Sequence, residues 1–357
     1  MFMSRSSRGR YPEMIGSSVK AVGLAVIRRE MQRQHVDACA TYDDAIAPAQ
    51  DIAQHIKSTG KILMLGMGAS HWANRMVLAS YREAGIEAQA EVLSEHLRMP
   101  LPANERVTLV TSQSGDSGEV AVWLHTREDR SNHYGLTLNK DSTLGRNVPC
   151  LIGRGGREEA YAATRSIMLT LAMHAAILSG LGQDMSAFLD VLESAPPVPE
   201  MSDPTMLSPM VSCETLLLSS RGQLHPVMEA AALTYMELAR TPAVALELGQ
   251  LLHGPVECLS GKTALLLARP AGADAEGVTR VAREAVTYDL QPVIFDIGRH
   301  PSVDGAVAIM LPEARGLAAT ALLLPAVQTL AIEAAARRVI DFGTPRRSAK
   351  VTDGEAQ

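Results

Sequence analysis

Short, almost wholly apolar runs recur along the chain, each with turn residues nearby and a segment long enough for a helix before the next. In the first half these are Lys61 to Leu65 (KILML), Arg106 to Thr111 (RVTLVT), Tyr134 to Leu138 (YGLTL) and Cys150 to Ile152 (CLI). In the second they are Thr215 to Ser219 (TLLLS), Lys262 to Ala268 (KTALLLA), Pro292 to Ile297 (PVIFDI) and Ala306 to Leu311 (AVAIML). Runs without polar alternation predict strands buried on both faces, and strands separated by helices predict parallel sheets covered by helices on each side. The fold class expected is therefore α/β, with two similar three-layer αβα lobes, each built on a doubly wound parallel sheet. Val19 to Gln54 predicts one or two N-terminal helices, and Leu317 to Val339 a long closing helix.

Between the two sets of runs lies APPVPEMSDPTMLSP, Ala195 to Pro209, with five prolines in fifteen residues. That density predicts a linker without helix interiors or central strands. The expected organisation is an N-terminal helical segment (1–55), a first lobe (56–194), the Pro-rich linker (195–209), a second lobe (210–340) and a C-terminal tail (341–357). Two longer apolar stretches, Ser166 to Gly182 and Gly316 to Ile332, approach the length of a membrane span. The first contains His174 and the second Pro325 and Gln328, so both are read as buried core helices.

Composition narrows the function. Of 357 residues, 46% are hydrophobic and 20% charged, which supports a large core. With 33 Lys plus Arg against 39 Asp plus Glu, the net charge of −6 argues against a nucleic-acid partner and leaves room for a local anion pocket. Cys39, Cys150, Cys213 and Cys258 form no CxxC pair, and MFMSRSSRGRYPEM at the start has no apolar signal segment, so a reduced cytoplasm is expected. No His, Cys or Asp cluster has ligand spacing, so no metal or other cofactor is expected.

In open parallel sheets ligands bind beyond the carboxyl ends of strands, which directs attention to the first two such loops. GMGASHWA, Gly66 to Ala73, holds only the first part of a dinucleotide fingerprint, with His71 where a third glycine belongs, and adds the hydroxyl of Ser70. SQSGDSGEV, Ser112 to Val120, brings Ser112, Gln113, Ser114 and Ser117 with the amides around Gly115 to a helix start. Unpaired donors and the macrodipole there favour an anion. The same serines and Asp116 are equally able to serve only as helix caps.

The serine loop, LSEHLR at Leu93 to Arg98, EAYAATRS at Glu159 to Ser166, SRGQLHPVMEAAALTYMELA at Ser220 to Ala239, LGQLLHGPVECL at Leu248 to Leu259 and PRRSAKVT at Pro345 to Thr352 occur in one order. Together they resemble the sugar isomerase (SIS) domain family, in its tandem form. The nearest members are the isomerase half of glutamine-dependent glucosamine-6-phosphate synthase and stand-alone phosphosugar isomerases and deaminases. The resemblance implies that Ser70, Ser112, Gln113, Ser114 and Ser117 hold a sugar phosphate and that Ala163, Thr164 and Ala349 border the substrate. It further implies that Glu237 is the base that moves a proton between C1 and C2, and that His253 assists ring opening in the site of a neighbouring subunit. Lys350 is then carried to the sugar by the tail, which closes over the site. A homodimer is the smallest unit so implied, with the N-terminal helices and the Ala-rich closing helix as candidate interface material.

The chemistry agrees with those residue types: a carboxylate and an imidazole supply acid and base near neutral pH. Read without the resemblance, Glu237 is as well explained as a solvated surface glutamate, His253 as an ordinary polar histidine, and Lys350 as part of a loose tail. The chain also departs from the family pattern. Arg165 follows Thr164 where the family has lysine, Thr234 replaces a lysine one turn before Glu237, and Glu229 is displaced by one residue. The opening YPEMIGSS is altered as well.

No cysteine follows the initiator, and no further domain precedes the first lobe, so ammonia from glutamine is not expected to be used. The expected function is a phosphosugar enzyme acting by ring opening and C1/C2 proton transfer, of the glucosamine-6-phosphate deaminase or ketose/aldose isomerase type. A fructosamine 6-phosphate deglycase is the enzyme alternative. A non-catalytic phosphosugar sensor is the alternative of another class.

Overall fold

The structure is a computed structural model that describes residues 10–102, 105–126 and 130–350, with side chains from Lys20 onward. In chain order the first part runs α1 (Arg10–Thr59), β1 (Lys61–Gly66), α2 (Gly68–Met76), α3 (Leu78–Glu83), β2 (Glu87–Val92), α4 (Leu93–Arg98), β3 (Val107–Thr111), α5 (Gly118–His125), β4 (His133–Thr137), α6 (Thr143–Asn147), β5 (Cys150–Ile152) and α7 (Arg165–Gly180). It continues through α8 (Ser186–Ser194) and α9 (Pro204–Ser212) into β6 (Thr215–Ser220), α10 (His225–Ala239), β7 (Ala243–Glu247), α11 (Leu248–Leu252), β8 (Thr263–Arg269), α12 (Ala275–Thr287), β9 (Val293–Asp296), β10 (Val307–Met310) and α13 (Gly316–Arg338).

Two five-stranded sheets result, in the orders β2-β1-β3-β4-β5 and β10-β9-β8-β6-β7. Every pairing is parallel. Read from β7, the second sheet repeats the order of the first, so both have their topological switch between the first strand and the third, at β1/β3 and β6/β8.

Side chains alternate across each strand and sort into separate cores. Ile62 and Met64 of β1 join Leu216 and Leu218 of β6 in one continuous apolar cluster between the sheets. Leu63 and Leu65 face a smaller cluster with Val120 and Trp123 of α5. Leu217 faces another with Val278 of α12. Both faces of each central strand are thus covered, which is why those strands read as unbroken apolar runs.

The apolar pattern missed β2 and β7, which occupy the same edge in the two sheets. An edge strand pairs on one side and stays partly wet; EAQAEV is half exposed along its length, so it carries no apolar run. The Pro-rich segment also differs from expectation, because it contains α9. Asp203 accepts a hydrogen bond from the Thr205 amide and Pro204 takes the first turn, where a missing donor costs nothing, while Pro209 lies inside the helix.

The N-terminal region is one helix of 50 residues. Among the described residues, α13 is the one helix long and apolar enough to cross a membrane, and 89% of its apolar window is buried inside the molecule. Its residues from Leu317 to Ala336 pack on α10, α8 and α9, so this helix is spent on the interior and not on an outer face. Truncating a buried leucine there, such as Leu323, removes about 2–5 kcal/mol.

Candidate functional site

At the carboxyl end of the first sheet lies a cavity of about 490 Å3. Ser70, Ser112, Gln113, Ser114, Ser117, Ala163, Glu237, Ala349 and Lys350 all line it. Local backbone geometry explains how the two loops reach it. A Cβ on Gly66 would sit 2.9 Å from the His71 amide, so only glycine lets α2 start directly above β1, and Gly68 takes a positive φ of 50°. Gly115 has φ 69°, and a Cβ there would collide with the Ser142 hydroxyl.

The capping alternative for the serine loop can be checked atom by atom. Ser112 Oγ accepts from the Gly115 amide at 3.1 Å and Ser114 Oγ from the Asp116 amide at 3.2 Å, which shapes the turn. Asp116 accepts from the amide and hydroxyl of Thr143, at 2.7 and 3.0 Å, and thereby holds the loop to α6. Ser117 occupies the N-cap of α5 yet its hydroxyl accepts nothing from the helix, and Met67 at the N-cap of α2 has no capping side chain. Two helix N-termini therefore face the cavity with free amides, an arrangement suited to an anion.

A third helix, α7, is capped from within the cavity wall by Glu158. Its Oε1 accepts from the Thr164 amide (2.8 Å), the Thr164 hydroxyl (2.7 Å) and the Arg165 amide (2.8 Å). Its Oε2 accepts from Ser166 Oγ at 2.5 Å and Gln113 Nε2 at 3.3 Å. Thr164 is therefore buried behind the wall and held by Glu158, and it does not border the cavity. Arg165 is 0% exposed and turned away from the cavity. It donates to Glu30 (2.6 Å) and Asp37 (3.0 Å) of α1 and to the Arg154 and Gly156 carbonyls, both at 2.8 Å. The positive charge in this segment is structural.

Glu237 stands in the last turn of α10. That helix follows β6 of the second sheet but crosses onto α2 of the first, where Arg75 bonds Glu229 at 3.1 Å, and in the turn just before it Gln223 bonds Ser80 of α3 at 3.1 Å. Burial pushes the Glu237 carboxyl up to about 7, with Lys350 opposing the rise and Glu158 adding to it. Lys350 donates from the tail to the carbonyl of Ala160 and, at 3.3 Å, to that of Tyr161. Burial lowers its pKa against the pull of Glu158, Glu237 and Glu30.

His253 follows α11, is exposed, and does not line this cavity. Thr234 is buried in α10 and does not border it either, and Glu229 is engaged by Arg75 and His225. Sequence reading overlooked Glu158 and Glu119. Glu119 is 9% exposed and lines the cavity. Position gave a signal for Glu119, two residues after Ser117; Glu158 gave none, because a helix cap seven residues before the helix is not a sequence pattern.

The second sheet offers no equivalent cradle. By strand register Arg269 stands where Ser112 does, and Asp296 where Thr137 does. The two are buried and bonded to each other at 2.5 Å, with Thr279 Oγ1 3.2 Å from Arg269 and the Gly298 amide 2.9 Å from Asp296.

No family model matches the chain. Its sequence is 26% identical over 287 residues to a glutamine–fructose-6-phosphate aminotransferase (isomerizing) of Gloeobacter violaceus, covering 75% of this chain and 47% of that protein. The chain thus spans about half the length of the curated relatives it matches. Among solved structures it superposes on the C-terminal domain of glucosamine-fructose-6-phosphate aminotransferase from Francisella tularensis with a TM-score of 0.77 at 17% identity, covering 94% of this chain and 98% of that one. It superposes on tagatose-6-phosphate ketose/aldose isomerase from Escherichia coli with a TM-score of 0.74 at 15% identity, covering 86% and 91%. For glucosamine-6-phosphate deaminase from Thermotoga maritima the TM-score is 0.66 at 18% identity, covering 88% and 99%. The architecture is the SIS-like α/β fold of these structures.

Proposed function

We propose that the protein is an enzyme acting on a sugar 6-phosphate, opening the ring and moving a proton between C1 and C2, as an aminosugar-phosphate deaminase or a ketose/aldose isomerase. The carrying observation is Glu237, a carboxyl raised to about 7 that shares one cavity with the serine loop and two uncapped helix N-termini. The likeness to a ketose/aldose isomerase and a deaminase supports the substrate class.

In this reading the phosphate lies against Ser70, Ser112, Ser114, Ser117 and the free amides of α2 and α5, which neutralise it with little need for basic side chains. Glu237, ionised at and above its midpoint, takes the proton from one carbon and returns it to the next, and the Lys350 ammonium offsets charge developing on the neighbouring oxygen. With an aminosugar phosphate the resulting imine adds water and releases ammonia. His253 of a second copy completes the site for ring opening, which makes a homodimer the working unit.

The test is separate incubation with glucosamine 6-phosphate, fructose 6-phosphate and a fructosamine 6-phosphate in deuterated water. Ammonia release from the first identifies a deaminase. Deuterium at C1 or C2 without ammonia identifies an isomerase. Release of an amine from a fructosamine 6-phosphate alone would identify a deglycase. Tight binding with no deuterium in any sugar overturns the enzyme reading in favour of a sensor.

A further inference from the structure

Glu237 and Lys350 reach the cavity from different places, one at the end of α10 and the other from the chain beyond α13. What joins them lies three residues after Glu237. Arg240 is the C-cap of α10, in the left-handed region with φ 54°. That turn aims its guanidinium at the tail: Nη1 donates to Asp341 Oδ1 at 2.6 Å, and Nη2 to the Thr344 carbonyl at 2.8 Å. Arg346 grips the other oxygen of the same carboxylate at 2.8 Å.

The pair is only about a quarter exposed, 28% for Arg240 and 24% for Asp341. A partly desolvated, multiply bonded guanidinium is worth more than an ordinary surface pair. The Arg240 guanidinium, with Arg346, holds the Asp341 carboxyl well below the usual carboxylate range.

Directly after Asp341 the chain is pinned on its opposite side. A Cβ on Gly23 of α1 would overlap the Phe342 carbonyl oxygen, and Gly343 turns there with φ 76°. Farther on, Ser348 bonds Tyr161 and Lys350 bonds the Ala160 and Tyr161 carbonyls. The tail therefore has a fixed root on α10 and α1 and a tip in the cavity.

We infer that Arg240 is a positioning residue: by clamping Asp341 and Thr344 it ties the root of the tail to the helix that carries Glu237, so that Lys350 meets Glu237 at a set distance. The claim about catalysis rests on the function proposed above, while the clamp itself does not. A tail released at its root would still find the cavity part of the time, and the loss would fall on turnover more than on phosphate affinity, because the serine loop is untouched.

The experiment has two arms. Amide hydrogen exchange across 341–350 is compared in the wild type, Arg240→Asn, which tolerates the left-handed cap, and Asp341→Asn. Exchange about tenfold faster at these amides in both variants, with α10 unchanged, is expected; unchanged exchange overturns the clamp. In the second arm kcat and KM are measured for Arg240→Asn, Lys350→Met and the double variant. Arg240→Asn is expected to lower kcat about tenfold or more with KM for the phosphosugar within about twofold, and to add less than about twofold loss once Lys350 is gone. Losses that multiply in the double variant overturn the coupling to Lys350. If the exchange result holds but the wild type turns over no phosphosugar, the clamp stands and the proposed function fails.

Discussion

Gln113 donates to Glu158 across 3.3 Å, and this single hydrogen bond joins the serine loop after β3 to the N-terminus of α7. Through it the cradle proposed for the phosphate and the wall facing Lys350 share one carboxylate. The position of the loop is therefore set by the region where Glu237 and Lys350 sit as well as by its own turn.

Glu237 predicts a pH dependence with two opposite signs. Its carboxyl is raised to about 7 in the folded state, so as a base it is active in the ionised form and kcat should rise as pH increases through about 7. For stability the proton is held more tightly by the folded chain. The contribution is full below the ordinary glutamate value and is lost as pH rises through about 7. Glu237→Gln should abolish turnover, leave phosphosugar affinity within a few-fold, match the wild type in stability near pH 4, and exceed it on the order of 2 kcal/mol near pH 8. Denaturant melts at the two pH values and a pH-rate profile check both halves; a rate unchanged by the substitution would remove Glu237 as the base.

Two serines at helix starts should behave oppositely. Ser142 caps α6 by accepting from the Gly145 amide at 3.1 Å, so Ser142→Ala should cost about 1 kcal/mol of stability. Ser117 has the cap position of α5 without the cap bond, so Ser117→Ala should leave the melting temperature nearly unchanged and weaken phosphosugar binding about tenfold. Calorimetry on both variants separates a structural from a binding serine.

Arg165 compensates two carboxylates of α1 from a buried position. Arg165→Met strands Glu30 in the core and should cost about 3–5 kcal/mol, read as a fall in the urea midpoint. Arg165→Lys should recover only part of this, because one ammonium cannot reach both carboxylates and the Arg154 and Gly156 carbonyls together. Full recovery would show that charge alone matters there.

His253 lies away from the cavity of its own chain, which gives the dimer proposal a direct check. His253→Ala and Glu237→Gln should each be inactive as pure proteins. Mixed after dissociation, they should regain about a quarter of wild-type activity, since half the dimers are mixed and each has one intact site. An active His253→Ala would place His253 outside the reaction, and no recovery on mixing would place it within its own subunit's chemistry.

Much of this fold was legible because strands buried on both faces cannot hide their composition: apolar runs in the sequence marked eight of the ten strands among the described residues. β2 escaped because EAQAEV, half exposed at the sheet edge, leaves no apolar run, whereas β7, AVALE, is a short apolar run separated from α10 by only three residues and not set off from it in the sequence. α9 escaped because proline excludes a helix only where a donor is needed, and Pro204 sits where none is. The cavity-lining serines, Glu237 and Lys350 were legible through ordered motifs. Glu158 was not, because its role depends on five donors brought together only in three dimensions, and the burial of Arg165 depends on α1, more than a hundred residues earlier.

The sealing of the second sheet by Arg269 and Asp296 changes what the two halves of the chain are worth apart. Severing the chain between 195 and 209 would yield one fragment with the serine loop but no Glu237, and another with Glu237 but no serine loop. The Arg75–Glu229 and Gln223–Ser80 bonds lie on the seam, with the apolar cluster that joins the two sheets, across which a complete site is assembled. A polar lesion in that seam would read as a failing of chemistry, because it misplaces Glu237 relative to the serine loop.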